Sequence, residues 1–79
     1  MSQIRDSQLL QKIAVVLKEL REKHALTQED VFGDTQIHIG RIETARANVT
    51  VSTLSRLCHY FDISLAEFFN KVEKLGGKR

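Results

Sequence analysis

The sequence contains little cysteine, and this limits how the protein can be stabilised. Its one cysteine, Cys58, cannot form an intramolecular disulfide, and a lone cysteine has too few companions for a structural zinc site. Cys58 falls on an apolar helical pattern with Leu54, Leu57 and Phe61, where a free cysteine behaves as a small hydrophobic residue. We therefore expect a buried thiol in a reducing, cytoplasmic protein, with no metal and no cofactor.

Proline is absent, glycine occurs four times, and long apolar runs are missing. Apolar residues make up 42% and charged residues 28% of the chain, which is ordinary for a compact helical protein and excludes a disordered one. No stretch approaches the roughly 20 apolar residues of a membrane span, and the N-terminus lacks the apolar core of a signal peptide. The sequence predicts one soluble domain at residues 7–75, with flexible termini at 1–6 and 76–79 and no membrane partner.

A strong excess of one charge is also missing, since the formal net charge is only +2. Residues 35–60 carry three Arg against one Glu, whereas residues 1–34 carry five basic against six acidic residues. A weak net charge does not by itself indicate nucleic-acid binding. The middle of the chain is nevertheless its positive segment.

Apolar residues recur at helical spacing in the N-terminal part of the chain. The spacing of three and four between Leu10, Ile13 and Leu17 predicts a long amphipathic helix over Ser7–Lys23, capped by Asp6 or Ser7. No internal repeat and no alternating strand pattern is present.

The next two helices are predicted from capping residues. Thr27, with an acid three residues later, begins a short second helix that ends at Phe32–Asp34. Thr35 is a good N-cap for a third helix over Thr35–Ala45, with Ile39 and Ile42 facing inward. The side chains left outside on this helix are Gln36, Ile37, His38, Gly40 and Arg41.

Two further helices complete an all-α fold of five short helices. After a polar connection at Arg46–Val49, Thr50 caps a fourth helix whose apolar period continues to Phe61. Ser64 and Glu67 form a capping-box pattern that opens a fifth helix.

Four short motifs stand in a characteristic order along the chain. They are LKELREK at Leu17–Lys23, LTQED at Leu26–Asp30, IGRIE at Ile39–Glu43 and NVTVSTL at Asn48–Leu54. Together with the closing segment DISLAEFF, they resemble the lambda-repressor-like (Xre-type) helix-turn-helix family over about Ile13 to Phe69. The resemblance implies a five-helix lambda-repressor-like domain that binds double-stranded DNA as a homodimeric, repressor-like transcriptional regulator.

Three features depart from the family pattern. About three fewer residues separate Gln28 from Ile39 than is usual, and we expect the second helix to be shorter with its inner face still inward. Val49 replaces the expected proline, and Ala45 stands where glycine often ends the recognition helix. These departures most affect the angle at which the third helix would dock against DNA.

The resemblance places the third helix in the major groove of DNA, with its first side chains at base edges. Gln36 can pair with adenine, Ile37 can touch a thymine methyl group, and His38 can donate to a base or a phosphate. Gly40 allows a close approach of the backbone, and Arg41 can reach a guanine edge or a phosphate. The alternative for this set is an ordinary solvated helix surface.

Phosphate groups are held by donors at helix starts, where the first amides carry partial positive charge. By the resemblance, Gln28 holds the DNA backbone near the second helix, and Arg46, Asn48 and Thr53 hold it beyond the third. Thr35, at the predicted start of the third helix, is a further predicted DNA-binding residue. For Thr27 and Thr50, helix capping alone is the alternative.

A single short helix in the groove gives limited affinity, so we expect a homodimer that reads two half-sites of a palindromic operator. The fifth helix has more apolar surface than one core needs, which is typical of an interface. The predicted dimer interface consists of Leu65, Phe68, Phe69 and Val72. For Phe68, a core position that covers the first helix is the alternative.

An enzyme is the first rival class of function. The histidines and Cys58 could suggest a nucleophile and a base, but His24 lies in a turn, His38 faces outward and Cys58 faces inward. No phosphate loop, catalytic carboxylate pair or metal-ligand spacing is present, and the chain is too small for a usual substrate pocket. We expect no catalysis, and a helical interaction module, such as an antitoxin that binds a protein partner, stays open as the alternative.

Overall fold

The computed structural model describes residues 6–76 and contains five α-helices, with no strand in that range. Helices α1 to α5 span Ser7–Lys23, Gln28–Thr35, Ile39–Glu43, Val51–Tyr60 and Leu65–Gly76. Helix α1 packs against both α3 and α5, α2 packs against α3, and α4 packs against α5. The predicted all-α, five-helix class is confirmed.

Side-chain caps begin four of the helices at the positions that the sequence predicted. The capping residues are Asp6, Thr27, Thr50 and Ser64. At α2 the capping is reciprocal, since the Asp30 amide donates to the Thr27 hydroxyl at 3.0 Å and the Thr27 amide donates to the Asp30 carboxylate at 2.9 Å. These hydrogen bonds, first the one from the Thr27 backbone, hold the pKa of Asp30 below its usual value.

The third helix does not begin at Thr35, and this prediction is wrong. Thr35 is the last residue of α2 and only 6% exposed. Its hydroxyl donates to the Val31 carbonyl oxygen at 2.8 Å and accepts from the Ile37 amide at 3.0 Å. Because Thr35 still belongs to α2, it does not cap a new helix, and its side chain is too buried to contact DNA directly.

The expected shortening falls on α3 and not on α2. Helix α2 keeps eight residues, whereas α3 has only five, from Ile39 to Glu43. Gln36 takes the left-handed backbone conformation with φ 63°, which ends α2 and leaves Gln36, Ile37 and His38 in the turn. The predicted long rod over Thr35–Ala45 is therefore a turn followed by a single short helix.

The hydrophobic core is one cluster to which all five helices contribute. Its buried residues are Ile13, Val16, Leu17, Leu20, Val31, Ile39, Ile42, Leu54, Leu57, Cys58, Phe61, Phe68 and Val72. Cys58 is thus a core residue, as predicted, and burial raises the pKa of its thiol. Phe68 and Val72 are 0% and 2% exposed, so the prediction that they form a dimer interface is wrong. The monomer core already covers them, whereas Leu65 and Phe69 stay partly exposed.

No helix between residues 6 and 76 is both long and apolar enough to cross a bilayer. The same part of the chain has no group of three or more histidine, cysteine or acidic residues placed to hold a metal ion. The predicted flexible termini concern mainly residues 1–5 and 77–79, which lie outside the described range. Of the remaining two positions, Asp6 caps α1 and Gly76 is the last residue of α5.

Candidate nucleic-acid interface

An ion pair between α1 and α3 fixes the third helix on the domain. Arg21 Nε donates to Glu43 Oε2 at 2.7 Å, and Arg21 Nη2 donates to Glu43 Oε1 at 3.0 Å. Only 11% of the Arg21 side chain and 6% of the Glu43 side chain are exposed. Arg21 Nη1 also donates to the Leu26 carbonyl oxygen at 2.9 Å, and the bond to Glu43 raises the pKa of Arg21. The one carboxylate of α3 is therefore turned inward and neutralised.

The side chain of Gln28, at the start of α2, lies across α3. Its Nε2 donates to Glu43 Oε1 at 2.8 Å. A Cβ atom added at Gly40 would stand 2.9 Å from Gln28 Oε1, which is closer than Cβ atoms normally approach a neighbouring atom. Glycine at position 40 thus leaves the room that Gln28 needs to reach Glu43. Gln28 itself is exposed, so it remains available for a contact with a ligand.

Helix α3 presents few side chains to solvent. Ile39 and Ile42 are 0% and 7% exposed, which confirms that they face inward. With Glu43 bound to Arg21, the outward positions are Gly40 and the exposed Arg41. The charge that α3 shows to solvent is therefore positive.

The turn before α3 holds the three residues that we expected at the start of the recognition helix. Gln36 is exposed, and its Nε2 donates to the Phe32 carbonyl oxygen at 3.3 Å. Ile37 is half-buried and packs against the core. His38 is exposed, and its ring stacks on Phe32 with 4.3 Å between ring centroids and 27° between planes. Gln36 and His38 are thus accessible to a ligand, whereas most of the Ile37 side chain packs against the core.

A groove of about 370 Å³ runs between α2 and α3 on this side of the molecule. Its walls are Gln28, Glu29, Phe32, His38, Ile39, Gly40 and Arg41. The structure therefore brings together three of the predicted DNA-binding residues, Gln28, His38 and Arg41, around one depression. We call it the α2–α3 groove.

Two side chains of α4 hold the end of α2 in place. Arg56 Nη2 donates to the Thr35 carbonyl oxygen at 3.1 Å, which satisfies an acceptor at the C-terminus of α2. The Tyr60 hydroxyl donates to Asp34 Oδ2 at 2.5 Å. This hydrogen bond is the main reason why the pKa of Tyr60 is raised to about 12. The two contacts fix the turn that leads into α3.

The remaining predicted contacts lie after α3. Ala45 takes the left-handed conformation with φ 64°, at the position where the family often has glycine. Arg46 and Asn48 follow it and are exposed. Thr53 is half-buried, its amide donates to the Thr50 hydroxyl at 3.0 Å, and the two hydroxyl oxygens are also 3.0 Å apart. The Thr50 side chain thus caps α4, and the Thr53 hydroxyl accepts a hydrogen bond from it.

Sequence reasoning missed four residues of this region: Arg21, Phe32, Arg56 and Tyr60. A carboxylate near DNA is repelled by phosphate unless an Arg pairs with it, and Glu43 has such a partner in Arg21. The sequence does not indicate that Arg21 is the partner of Glu43, because the two residues are 22 positions apart. Phe32 was assigned to the end of α2, and its stacking on His38 depends on the course of the turn.

The chain is similar to known helix-turn-helix proteins. Residues 17–68 match the profile of a helix-turn-helix family. Over 61 residues the chain is 34% identical to the HTH-type transcriptional regulator PuuR of Escherichia coli strain K12 and to the protein of the same name from Shigella flexneri. Each match covers 73% of this chain and 33% of the relative, so the chain spans about a third of the length of these curated relatives. No solved structure matches the chain significantly.

Proposed function

Since the chain belongs to the lambda-repressor-like helix-turn-helix family, we propose that it is a sequence-specific, DNA-binding transcriptional regulator of the repressor type. The charge arrangement of α3 is the main support. Glu43 faces inward on Arg21, while Arg41 faces outward next to the exposed His38 and Gln28. A short helix with an outward cation and a neutralised carboxylate suits the negative, donor-and-acceptor-rich major groove.

The proposed contacts divide into base-reading and phosphate-binding groups. Arg41 is the base reader, because an arginine can donate two hydrogen bonds to the O6 and N7 atoms of guanine. Gln28 and Arg46, on either side of α3, bind phosphates, together with Asn48. Thr53 contributes indirectly, because its backbone amide donates to the Thr50 hydroxyl that caps α4.

Selection of bound duplexes from a random pool, followed by titration with the full chain at several salt concentrations, tests this assignment. We expect Arg41→Ala to lose about 5- to 150-fold in affinity at one base position and to relax the preference there. Arg46→Ala weakens all duplexes alike and lowers the salt slope by about one. The control is Lys23→Ala, which removes an exposed cation at the end of α1 and leaves affinity nearly unchanged.

Two outcomes would reject the assignment. If neither arginine substitution changes duplex affinity, α3 does not face DNA in the complex. If the wild-type chain binds no duplex, the function is that of a protein-interaction module, and the search for partners moves to proteins.

The regulator is proposed to work as a homodimer on a palindromic operator. Leu65 and Phe69 support this, because they stand one helical turn apart on α5 and both stay partly exposed. Two copies joined there would present two α3 helices to successive major grooves.

Light scattering of the purified chain tests the dimer. We expect the wild type to form dimers and Phe69→Asp to form folded monomers that bind a single half-site normally but a palindrome more weakly. Asn70→Asp, an exposed neighbour, is the matched control. A monomeric wild type contradicts the dimer, and a dimeric Phe69→Asp variant places the interface elsewhere.

A further inference from the structure

The α2–α3 groove has an apolar wall that the proposed contacts leave unused. Phe32 on α2 is only half-buried, and the exposed His38 stacks on it. Gly40, which has no side chain, lies beside them in the lining of the groove. An aromatic pair on the surface that is proposed to face DNA calls for a matching apolar group on the ligand.

We infer that Phe32 and His38 form a contact site for the 5-methyl group of thymine, next to the base that Arg41 reads. This inference rests on the proposed function and adds a specificity-determining residue, Phe32, that lies outside α3. It also replaces Ile37 as the thymine contact, since Ile37 packs against the core.

The short length of α3 supports a contact from outside this helix. With five residues, and with Ile39, Ile42 and Glu43 all facing inward, α3 offers base edges only Arg41 and the backbone at Gly40. Further base contacts must therefore come from elements next to α3. Phe32 and His38 are the aromatic side chains that line the same groove as Arg41, beside Gln28 and Glu29.

The residues that line the groove also suit a thymine methyl group. The methyl group of thymine is the apolar feature of the major groove, and the other base edges there are donors and acceptors. The exposed carboxylate of Glu29 also lines the groove and repels phosphate, so this wall suits a base edge better than the DNA backbone. Arg41 on the same groove supplies the cation that draws the duplex in.

A uracil scan tests the inference. In the duplex obtained by selection, each thymine is replaced in turn by uracil, which removes only the methyl group. We expect one position in each half-site to lose about three- to ten-fold in affinity for the wild-type chain, the effect of one buried methyl group. In Phe32→Ala the overall affinity falls, and this uracil effect disappears.

Two further variants keep the test decisive. His38→Ala removes an exposed ring and should fold normally, so it reports on the stacked pair even if Phe32→Ala is unstable. We expect it to reduce the uracil effect as well. Arg41→Ala is the matched control, because it relaxes the guanine preference but keeps the uracil effect.

The outcomes separate this inference from the proposed function. Duplex binding that no uracil substitution weakens overturns the thymine contact and leaves the regulator intact. A uracil effect that persists unchanged in both Phe32→Ala and His38→Ala assigns the methyl contact to another residue and also overturns the inference. Absence of duplex binding overturns both, and preferential binding of single strands would show that the aromatic pair stacks on unpaired bases instead.

Discussion

Removing Glu43 should destabilise the domain, because it would leave the partly buried Arg21 guanidinium without its counter-charge. The two side chains are only 11% and 6% exposed and share two hydrogen bonds of 2.7 and 3.0 Å. Breaking a fully buried pair costs about 3–5 kcal/mol, so for this partly buried pair we expect a loss of at most about 3 kcal/mol, out of a total stability of about 5–15 kcal/mol for a small domain. For a domain of this size, 3 kcal/mol corresponds to a fall of roughly 12 °C or more in Tm.

Thermal and urea unfolding, followed by circular dichroism, measures this effect in a double-mutant cycle. The variants are Glu43→Leu, Arg21→Met and the double substitution, all of which keep roughly the original side-chain volume. We expect each single variant to be destabilised and the double variant to recover most of the loss, because an apolar pair needs no counter-charge. Glu19→Ala, an exposed carboxylate on α1, is the control and should change stability by less than about 0.5 kcal/mol.

Additive losses would refute the reasoning. If the double variant is as unstable as the sum of the two single variants, Arg21 and Glu43 contribute separately, and their ion pair does not hold α3 in place. A single Glu43→Leu variant as stable as the wild type would show that water reaches the Arg21 guanidinium in the folded protein.

Two further predictions concern the turns around α3. Ala45→Gly relieves the left-handed backbone at φ 64° and should stabilise the domain by about 0.5–1 kcal/mol, so a lower Tm would contradict it. Tyr60 is the one tyrosine of the chain, and tryptophan is absent, so the ultraviolet absorbance of tyrosinate reports on Tyr60 alone. Its pKa is raised from 10.0 to about 12, chiefly by the hydrogen bond to Asp34. The resulting stabilisation is complete below pH 10.0 and is lost as the pH rises towards 12. We expect Asp34→Ala to lower the midpoint, while a wild-type midpoint near 10.0 would contradict the prediction.

Local signals in the sequence predicted the helices at most of their starts. Thr27, Thr50 and Ser64 cap the helices that they were expected to cap, because an N-cap uses only a hydroxyl and an amide a few residues away. The inward positions of Ile39, Ile42 and Cys58 also followed from helical spacing.

The same local rule failed at Thr35 because Thr35 is the last residue of α2, and an N-cap residue must already have left the helical backbone conformation. Within a helix, the hydroxyl of a threonine can donate to the carbonyl oxygen four residues earlier. Here Thr35 is buried and bonds back to Val31, while Arg56 from α4 holds its carbonyl oxygen. The start of α3, and with it the position of Gln36 and His38, therefore depended on contacts from another helix.

The sequence by itself determined the all-helical class, the capped helix starts and the inward faces, because these depend on neighbours within about one or two helical turns. Tertiary packing alone decided where α3 begins, that Phe68 and Val72 lie inside the monomer, and which Arg neutralises Glu43. Each of these features depends on contacts between residues that are far apart in the chain. Their meeting depends on how whole helices dock, and no local spacing encodes that.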